Sequence, residues 1–548
     1  VSACSSTAPV DSDGDISIIH RGSATFVINS GICGDTVTIE APLASATTIS
    51  SSTAIQAYSL LSIDVHAALS ITPAISANSR ISLTSGTSII MSETGSVSGS
   101  TADVSDITVG ADSTLRVSIG ASGSASLTVT STQANTTITF PEAVVVGDTF
   151  TIAGSPSVEF SDTVNTGVAM FNVASLEVTG GITSTSTMGI TATGAIIGST
   201  YYGASVTIVG SSIVANEVKS DYGETSITCS GSTGIVVPNI TSASDVLLSS
   251  AIINILTNLK IDNISDLNVL SKTSVFIGNI TDNASGNGIG DISINPPSSS
   301  TLRPIVSLVS VCDASSIDVL GSTVSIPELT ITGDIALTAT TELNITGGLS
   351  SSNGTVTLNS SGDCTIGSIT SGDVTITSTG TLSRNSSITD PITIDTGGTL
   401  SISSSIIDCA ACNLDAGDAE NTNTFSVAAT SGALSVGVVT VSDQTTQTMS
   451  SQGNLTINGT LTISMGTFTI SAPDNSSVTF YGNVEGSGST LNIQNKNNLK
   501  SDSTIKVNTF SAVLQSVGTI SGGYGPSFDG LATLSVTTTG SIDVNGLS

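Results

Sequence analysis

The stretch NLTINGTLTISMGTFTIS, residues 454–471, contains the pattern on which the fold depends. Three runs in it alternate apolar residues with threonine or serine, and Gly459 and Gly466 separate the runs. The Asn-Gly pair that ends at Gly459 is a strong signal for a two-residue hairpin turn, and a hairpin would indicate an antiparallel sandwich. The two glycines suit two corners of a β-solenoid coil equally well. The hairpin predicts that the first two runs pair with each other, whereas the solenoid corner predicts that each run pairs with neighbouring coils.

Short alternating words of the same kind recur along most of the chain, for example in Leu329–Thr332 and Val374–Thr377. Glycine ends most of these strand-like segments within a few residues. Two or three such segments make about 18 to 30 residues, which is the size of one coil. The pattern predicts an all-β protein that forms a parallel β-helix or β-solenoid rod. Tandem β-sandwich modules are the alternative, but the absence of Trp and the 3% aromatic content disfavour them.

The overall composition excludes several classes of partner. Asp and Glu number 42 against 11 Lys and Arg, which gives a formal net charge of −31, although charged residues make up only 10% of the chain. This acidity argues against nucleic acid and against anionic membrane surfaces as partners. No apolar run reaches the roughly 18 residues of a membrane-spanning helix, so no membrane span is predicted. Because no basic segment precedes an apolar stretch at the start, we expect any signal peptide to have been removed or to lie outside this sequence.

Composition shifts predict a division of the chain into parts. Residues 1–45 form an N-terminal segment, and residues 46–294 form the first part of the solenoid. Residues 295–304, NPPSSSTLRP, predict a Pro-rich loop or a boundary because proline interrupts strand pairing. Residues 305–548 form the second part, in which residues 405–424 are predicted as a Cys-containing loop.

Seven cysteines give candidates for disulfides. Cys4 and Cys33 could staple the N-terminal segment, and Cys409 and Cys412 could form a local disulfide. Unpaired buried thiols are one alternative. A redox or zinc motif at Cys409 is another, but it lacks a βαβ context or a second Cys/His pair at a usual spacing. The odd number leaves at least one thiol free or bonded between chains.

Asp11, Asp13 and Asp15 alternate in DSDGDIS and form the one candidate metal site, which would hold structural Ca²⁺. An EF-hand loop requires Gly at its sixth position and Glu at its twelfth, and those positions hold Ile16 and Gly22 here. The alternatives are a solvated acidic turn and a partial Ca²⁺ site. No other cofactor is predicted.

Asn-x-Ser/Thr sequons are numerous, as is expected in a chain so rich in Ser and Thr, and they permit glycosylation without demonstrating it. They begin at Asn135, Asn239, Asn263, Asn279, Asn283, Asn344, Asn353, Asn359, Asn385, Asn454, Asn458 and Asn475.

The chain lacks the patterns that would predict an enzyme. The two histidines, His20 and His66, are far apart in sequence, and no Gly-x-Ser-x-Gly element lies near either of them. No phosphate-binding loop occurs, and the arginines are isolated. We therefore predict a protein that is not an enzyme. Carboxylates from different coils could still meet, so a polysaccharide-active β-helix enzyme remains an alternative.

In texture the chain resembles extracellular parallel β-helix surface proteins, such as adhesins of the filamentous-haemagglutinin kind, autotransporter passenger domains and pectin-lyase-like proteins. The resemblance rests on the richness in Ser, Thr, Gly and Asn, on the small number of charges and on short β-strand segments at irregular spacing, such as Leu343–Thr346. It implies an extracellular or cell-surface protein that serves as a stalk, adhesin or fibre subunit. It carries over no individual functional residue.

These observations predict a non-enzymatic extracellular structural protein, a subunit of a surface fibre, sheath or layer. Self-association into a filament or layer is expected, because the final run LATLSVTTTGSIDVNGLS is strand-like and has no capping helix. The alternative is an adhesin that binds glycan or surface proteins through the loops at 295–304 and 405–424.

Overall fold

The strands of this protein are joined in parallel ladders that run from coil to coil in a computed structural model of the chain. The structure describes residues 10–11, 14–49, 55–71, 75–85, 89–91, 97–107, 114–115, 126–130, 137–140, 143–261, 265–282, 289–298, 300–311, 314–386, 388, 390–417, 424–442, 446–473, 476–495, 498–501, 505–514, 519–521 and 533–538. Among these residues no helix occurs, and the stacked coils form a β-solenoid of about 18 turns. The predicted all-β solenoid fold is therefore confirmed.

The chain divides into two units, and unit 1 comprises Val1–Asp262. Its strands are β1 (Val10–Asp11), β2 (Ile16–Ile19), β3 (Phe26–Ile28), β4 (Ile32–Ala41), β5 (Ala46–Ile49), β6 (Ile55–Val65), β7 (Ala68–Ile71), β8 (Ile75–Ser85), β9 (Ile89–Met91), β10 (Val97–Ile107), β11 (Thr114–Leu115), β12 (Ser126–Thr130), β13 (Thr137–Phe140), β14 (Val144–Ala153), β15 (Ser157–Phe160), β16 (Val164–Val173), β17 (Ser175–Val178), β18 (Ile182–Ser184), β19 (Thr187–Ala192), β20 (Ala195–Gly203), β21 (Ser205–Ser220), β22 (Thr225–Ser242) and β23 (Val246–Ile261).

Unit 2 comprises Asn263–Ser548. Its strands are β24 (Leu267–Asp282), β25 (Ile289–Asn295), β26 (Ile305–Val311), β27 (Ala314–Ile326), β28 (Leu329–Ile331), β29 (Ile335–Ile345), β30 (Leu349–Ser351), β31 (Thr355–Ser360), β32 (Asp363–Ile366), β33 (Ile369–Ser371), β34 (Asp373–Ser378), β35 (Thr381–Arg384), β36 (Ile392–Thr396), β37 (Leu400–Ser404), β38 (Ile406–Cys409), β39 (Cys412–Gly417), β40 (Thr424–Ala429), β41 (Leu434–Val436), β42 (Val439–Ser442), β43 (Thr446–Ser451), β44 (Leu455–Ile457), β45 (Leu461–Ile463), β46 (Thr467–Ala472), β47 (Ser477–Phe480), β48 (Val484–Asn495), β49 (Asn498–Ser501), β50 (Ile505–Leu514), β51 (Thr519–Ser521) and β52 (Thr533–Thr538).

The three runs of residues 454–471 lie on three faces of one coil. Strand β44 pairs with β41 and β47, and β45 pairs with β42 and β48. Strand β46 pairs with β43 and β48. Because the first two runs pair with other coils and not with each other, the Asn-Gly pair is a corner and the hairpin interpretation is wrong. Gly466 has a φ of 87°, a left-handed conformation that glycine adopts without strain, and it makes the next corner.

The core of unit 2 consists of columns of inward side chains, one from each coil. Leu461 pairs with Val439 below and with Val484 above, and all three side chains are fully buried. The residue after Leu461 is Thr462, which points outward and is half-buried. This alternation is the strand period of two, and each buried aliphatic side chain contributes about 1.5–3 kcal/mol to folding.

Unit 1 has an aromatic section in its core, which the low aromatic content did not predict. The ring of Phe160 stacks on Phe140 with centroids 4.6 Å apart and on Phe171 at 5.8 Å. Phe150 meets Phe171 edge to face at 5.0 Å. These rings come from neighbouring coils, and such pairs add about 0.5–1.5 kcal/mol beyond the area that they bury.

Buried hydroxyl groups at the corners of unit 2 bond the backbone of the coil below. Ser378 Oγ donates to the Gly362 carbonyl at 2.7 Å, and Ser351 Oγ donates to the Gly333 carbonyl at 2.6 Å. Ser404 Oγ does the same to the Gly380 carbonyl at 2.9 Å. A buried hydroxyl is costly unless it is bonded, so these contacts explain why serine is tolerated at inward corner positions.

The structure treats the two predicted loops differently. Of the segment 295–304 that was predicted as a Pro-rich loop or a boundary, Asn295 belongs to β25, and the described residues of 296–304 contain no strand before β26. The prediction of one loop across 405–424 is wrong for residues 406–417, because β38 and β39 occupy most of that range. Both cysteines point inward, at 3% and 1% exposure, so they continue the core alternation on either side of a two-residue corner. Residues 418–423 lie outside the described residues.

Candidate functional surfaces

The predicted metal-binding aspartates lie at the first strands of unit 1. Asp11 ends β1, in register with Cys33, and Asp15 is exposed just before β2. Asp13 is outside the described residues. In the described part of the chain no three His, Cys, Asp or Glu side chains lie close enough together to hold a metal ion. The Ca²⁺ site stays a prediction.

Some of the described cysteines are disulfide-bonded and others are free thiols. Cys409 and Cys412 form a disulfide across the corner between β38 and β39. Cys33 is also disulfide-bonded, and Cys4, its predicted partner, lies outside the described residues. Cys229 and Cys364 are free and buried. Burial raises the pKa of the Cys364 thiol to about 12, so this group stays protonated and unreactive at neutral pH.

The sequons differ widely in accessibility. Asn353 and Asn454 are exposed at corners, whereas Asn385 is buried at 8% exposure and is out of reach of a glycosyltransferase in the folded protein. The half-buried sequon residues are Asn239, Asn279, Asn344, Asn359 and Asn458. Those outside the described residues are Asn135, Asn263, Asn283 and Asn475.

An open groove of about 490 Å³ lies on one side of unit 2. Its walls come from β26, β28 and β30 and from the corner that holds Pro327 and Glu328. The Pro-rich loop leads directly into β26, and Leu302 and Ile305 are 63% and 56% exposed there. Hydroxyl groups such as that of Thr330, the Glu328 carboxylate and Val309 give the groove both polar and apolar lining.

A second surface of unit 2 consists of two uncharged columns of outward side chains, which we call the hydroxyl face. The first column follows β31, β34, β37, β40, β43 and β46 with Thr357, Thr375, Ser401, Ser426, Thr448 and Thr469 in register. The second column contains Asn359, Thr377, Ser403, Ala428, Ser450 and Ser471. With a coil spacing of about 4.8 Å and two residues between columns, the face measures about 24 Å by about 7 Å.

Unit 1 carries a cluster of three side chains, Tyr202, Lys219 and Asp221, that are joined by a hydrogen bond and a salt bridge. The Tyr202 hydroxyl donates to Asp221 Oδ2, and Lys219 Nζ lies 3.1 Å from Asp221 Oδ1. The same ammonium lies 4.7 Å from the centroid of the Tyr202 ring. The hydrogen bond from Tyr202, and then the one from Lys219, lower the pKa of Asp221, and the bond to Asp221 raises the pKa of Tyr202. The three side chains therefore hold one another in a fixed arrangement.

Sequence reasoning missed this cluster. The available signal was that Tyr201, Tyr202 and Tyr222 are three of the chain's six tyrosines and flank a lysine in a chain with 11 basic residues.

Among the described residues there is no helix long and apolar enough to cross a membrane. Comparisons of this chain with protein-family models, with curated proteins and with solved structures found no match.

Proposed function

We propose that this protein is a non-enzymatic structural protein outside the cell, a subunit of a surface fibre, sheath or layer. The observation that carries the proposal is the use of corner side chains to bond one coil to the next. Besides the serine hydroxyls, acidic corner residues do this: Asp373 Oδ1 accepts from Thr399 N at 2.6 Å, and Asp363 Oδ1 from Thr381 N at 2.8 Å. Repeated bonds of about 1 kcal/mol each, added to a continuous ladder, suit a mechanical role.

The disulfides support a location outside the cell. Disulfides persist in oxidising compartments and are rare in reducing ones. Cys409 and Cys412 are bonded to each other, and Cys33 is bonded as well. A chain with this chemistry is suited to secretion or surface display.

The hydroxyl face is the surface on which we expect copies to pack. A chain with a net charge of −31 repels other copies of itself, and this repulsion is weakest where no charged side chain is present. The two columns that make up the hydroxyl face hold no charge over six coils. The short hydroxyl side chains and the Asn359 amide of this face, most of them half-buried, can exchange hydrogen bonds with a second copy at low cost in side-chain entropy.

The test is assembly of the purified chain, followed by sedimentation velocity and negative-stain microscopy over a range of concentrations. We expect fibres, sheets or large particles that form more readily as salt screens the acidic surface. Thr448→Lys places a charge in the fifth of the six coils of the hydroxyl face and should abolish assembly. Thr456→Lys is the matched control, because Thr456 is a half-buried outward threonine on another face of the same coil.

Dispersed wild-type particles at every concentration and salt would remove the support for assembly. Equal assembly by both lysine variants would show that copies pack through another surface.

Binding of glycan or protein is a second candidate function, favoured by the groove and by the exposed Leu302 and Ile305 where the Pro-rich loop enters β26. Exposed apolar side chains and a groove with both polar and apolar lining are each typical of recognition surfaces. Shortening the Pro-rich loop by deletion of residues 298–302, and separately Glu328→Gln, should weaken retention of the protein on the surface that it recognises. Unchanged retention with an intact fold would exclude this loop and groove.

A further inference from the structure

One surface of unit 1 differs chemically from the serine-rich and threonine-rich surface of unit 2. We call it the mixed face, and it is formed by outward residues of β20, β21, β22 and β23. One column contains Thr200, Glu217, Asn239 and Asn258 in register. The neighbouring column contains Tyr202, Lys219, Thr241 and Lys260. The face thus carries two ammonium groups, a carboxylate, two amides, two hydroxyls and a phenol within four coils.

Tyr222 stands at the edge of the mixed face on an anchored turn. It is 84% exposed, which is the largest exposure of any large hydrophobic or aromatic residue among the described side chains. Its backbone N–H donates to the Ala204 carbonyl at 3.1 Å, and the N–H of Asp221 donates to the Gly203 carbonyl at 3.0 Å. Because the turn is already ordered, binding through this ring costs little conformational entropy.

The polar groups of the mixed face supply donors and acceptors at regular spacing. Asn258 Nδ2 donates to Asn239 Oδ1 at 3.4 Å, so the two amides are aligned along the column. Glu217 adds an acceptor one coil below, and Lys260, which is exposed, adds a donor at the other end. A hydroxyl-rich ligand needs both kinds of group, and an aromatic ring beside them can cover an apolar face of a sugar ring.

The charges identify the class of saccharide. Lys219 and Lys260 of the mixed face are balanced by Glu217 within it and by Asp221 on the adjoining turn, so these four charges sum to zero. The chain around it carries a net charge of −31, which repels a polyanion. An uncharged polysaccharide meets neither a net local charge nor long-range repulsion.

We propose that the mixed face and Tyr222 together form a binding surface for an uncharged polysaccharide. This function is independent of assembly through the hydroxyl face, which belongs to unit 2. The Tyr222 ring stacks on one sugar, and Asn239, Asn258 and Glu217 bond the hydroxyls of the sugars that follow along the coils.

The test is affinity electrophoresis of the folded, oxidised protein in native gels that contain dextran, mannan, laminarin or arabinoxylan, with hyaluronate and polygalacturonate as acidic probes. The protein should come from a host that does not glycosylate Asn239, because a glycan there would cover the face. We expect at least one uncharged probe to retard the protein and the acidic probes to have no effect. Tyr222→Ala should weaken that binding roughly tenfold or more, as loss of a central aromatic contact does.

Tyr481→Ala is the matched control, since Tyr481 is a 58% exposed tyrosine of unit 2, and it should bind like the wild type. Asn258→Ala should weaken binding severalfold, which separates the mixed face from an effect of the ring alone. Circular dichroism confirms that each variant is folded. Absence of retardation by every uncharged probe, retardation by acidic probes only, or equal binding by Tyr222→Ala and the wild type would each overturn the proposal.

Discussion

Replacement of Gly354 by alanine tests the claim that close stacking of corners holds the coils of unit 2 together. A Cβ on Gly354 would overlap the Gly333 carbonyl group of the coil below and lie 2.6 Å from Asp334 N. Ordinary contact begins at 3.4 Å, and the Gly333 carbonyl lies closer still than Asp334 N, so the two coils must separate locally by at least about 0.8 Å. Backbone atoms cannot move aside as a flexible side chain can.

That separation has a calculable effect on hydrogen bonds at the same corner. Asn353 N donates to the Thr332 carbonyl at 2.9 Å, and Thr355 N donates to Asp334 Oδ1 at 2.8 Å. A stretch of about 0.8 Å takes both bonds past the useful range. Overpacking costs about 1–3 kcal/mol and each lost bond about 0.5–1.5 kcal/mol, so we expect Gly354→Ala to lower stability by about 2–4 kcal/mol.

The assay compares Gly354→Ala with Gly397→Ala, because a Cβ on Gly397 would meet nothing within 4 Å. Both changes remove the same freedom from the unfolded chain, so the difference between them reports the folded state. Urea unfolding followed by circular dichroism gives the stabilities. Hydrogen exchange of peptides covering residues 350–360 shows whether the loss is local, as expected for a solenoid. Equal midpoints and equal exchange for the two variants would refute the reasoning.

Three further predictions concern the core, a corner and a carboxylate pair. Phe160→Ala should cost about 3–5 kcal/mol in urea unfolding, because this ring is fully buried and stacked on a neighbour, and a loss below about 1 kcal/mol would contradict the packing described. Ser378→Ala should lower stability by about 0.5–1.5 kcal/mol, since the Gly362 carbonyl loses the hydroxyl donor at 2.7 Å but keeps the Gly380 N–H at 3.0 Å, and no change would mean that the hydroxyl bond contributes nothing. Desolvation, and then the charge of Asp395, raise the pKa of Asp415. Because the folded-state pKa is the higher one, the free energy of unfolding should fall as pH rises from the unfolded-state pKa of Asp415 through its folded-state pKa. Asp395→Asn should lower the pKa of Asp415 in an NMR titration and flatten this loss, and an unchanged pKa would show that the two charges do not interact.

The candidate surfaces were much less predictable than the fold. The Pro-rich loop followed from its prolines, which cannot donate to a strand ladder. The Tyr202, Lys219 and Asp221 cluster did not, because Tyr202 and Lys219 are 17 positions apart and come together only through the register of β20 on β21. Coil length varies, with hydrogen-bonded partners 18 residues apart at one corner and 26 at another, so register cannot be counted along the sequence.

By itself the sequence determined the local secondary structure of this protein. Alternation of apolar and hydroxyl residues produces strands with one buried side, and glycine with asparagine or serine ends those strands. It also limited the surface to few charges, because only 10% of the residues carry one. The tertiary structure alone decided which coils meet. An Asn-Gly pair is compatible with a hairpin and with a corner, and the corner prevails because Leu455 and Ile457 then join apolar columns above and below. For the same reason Cys409 lies in a strand, since packing against the neighbouring coils outweighs the loop preference of its polar surroundings.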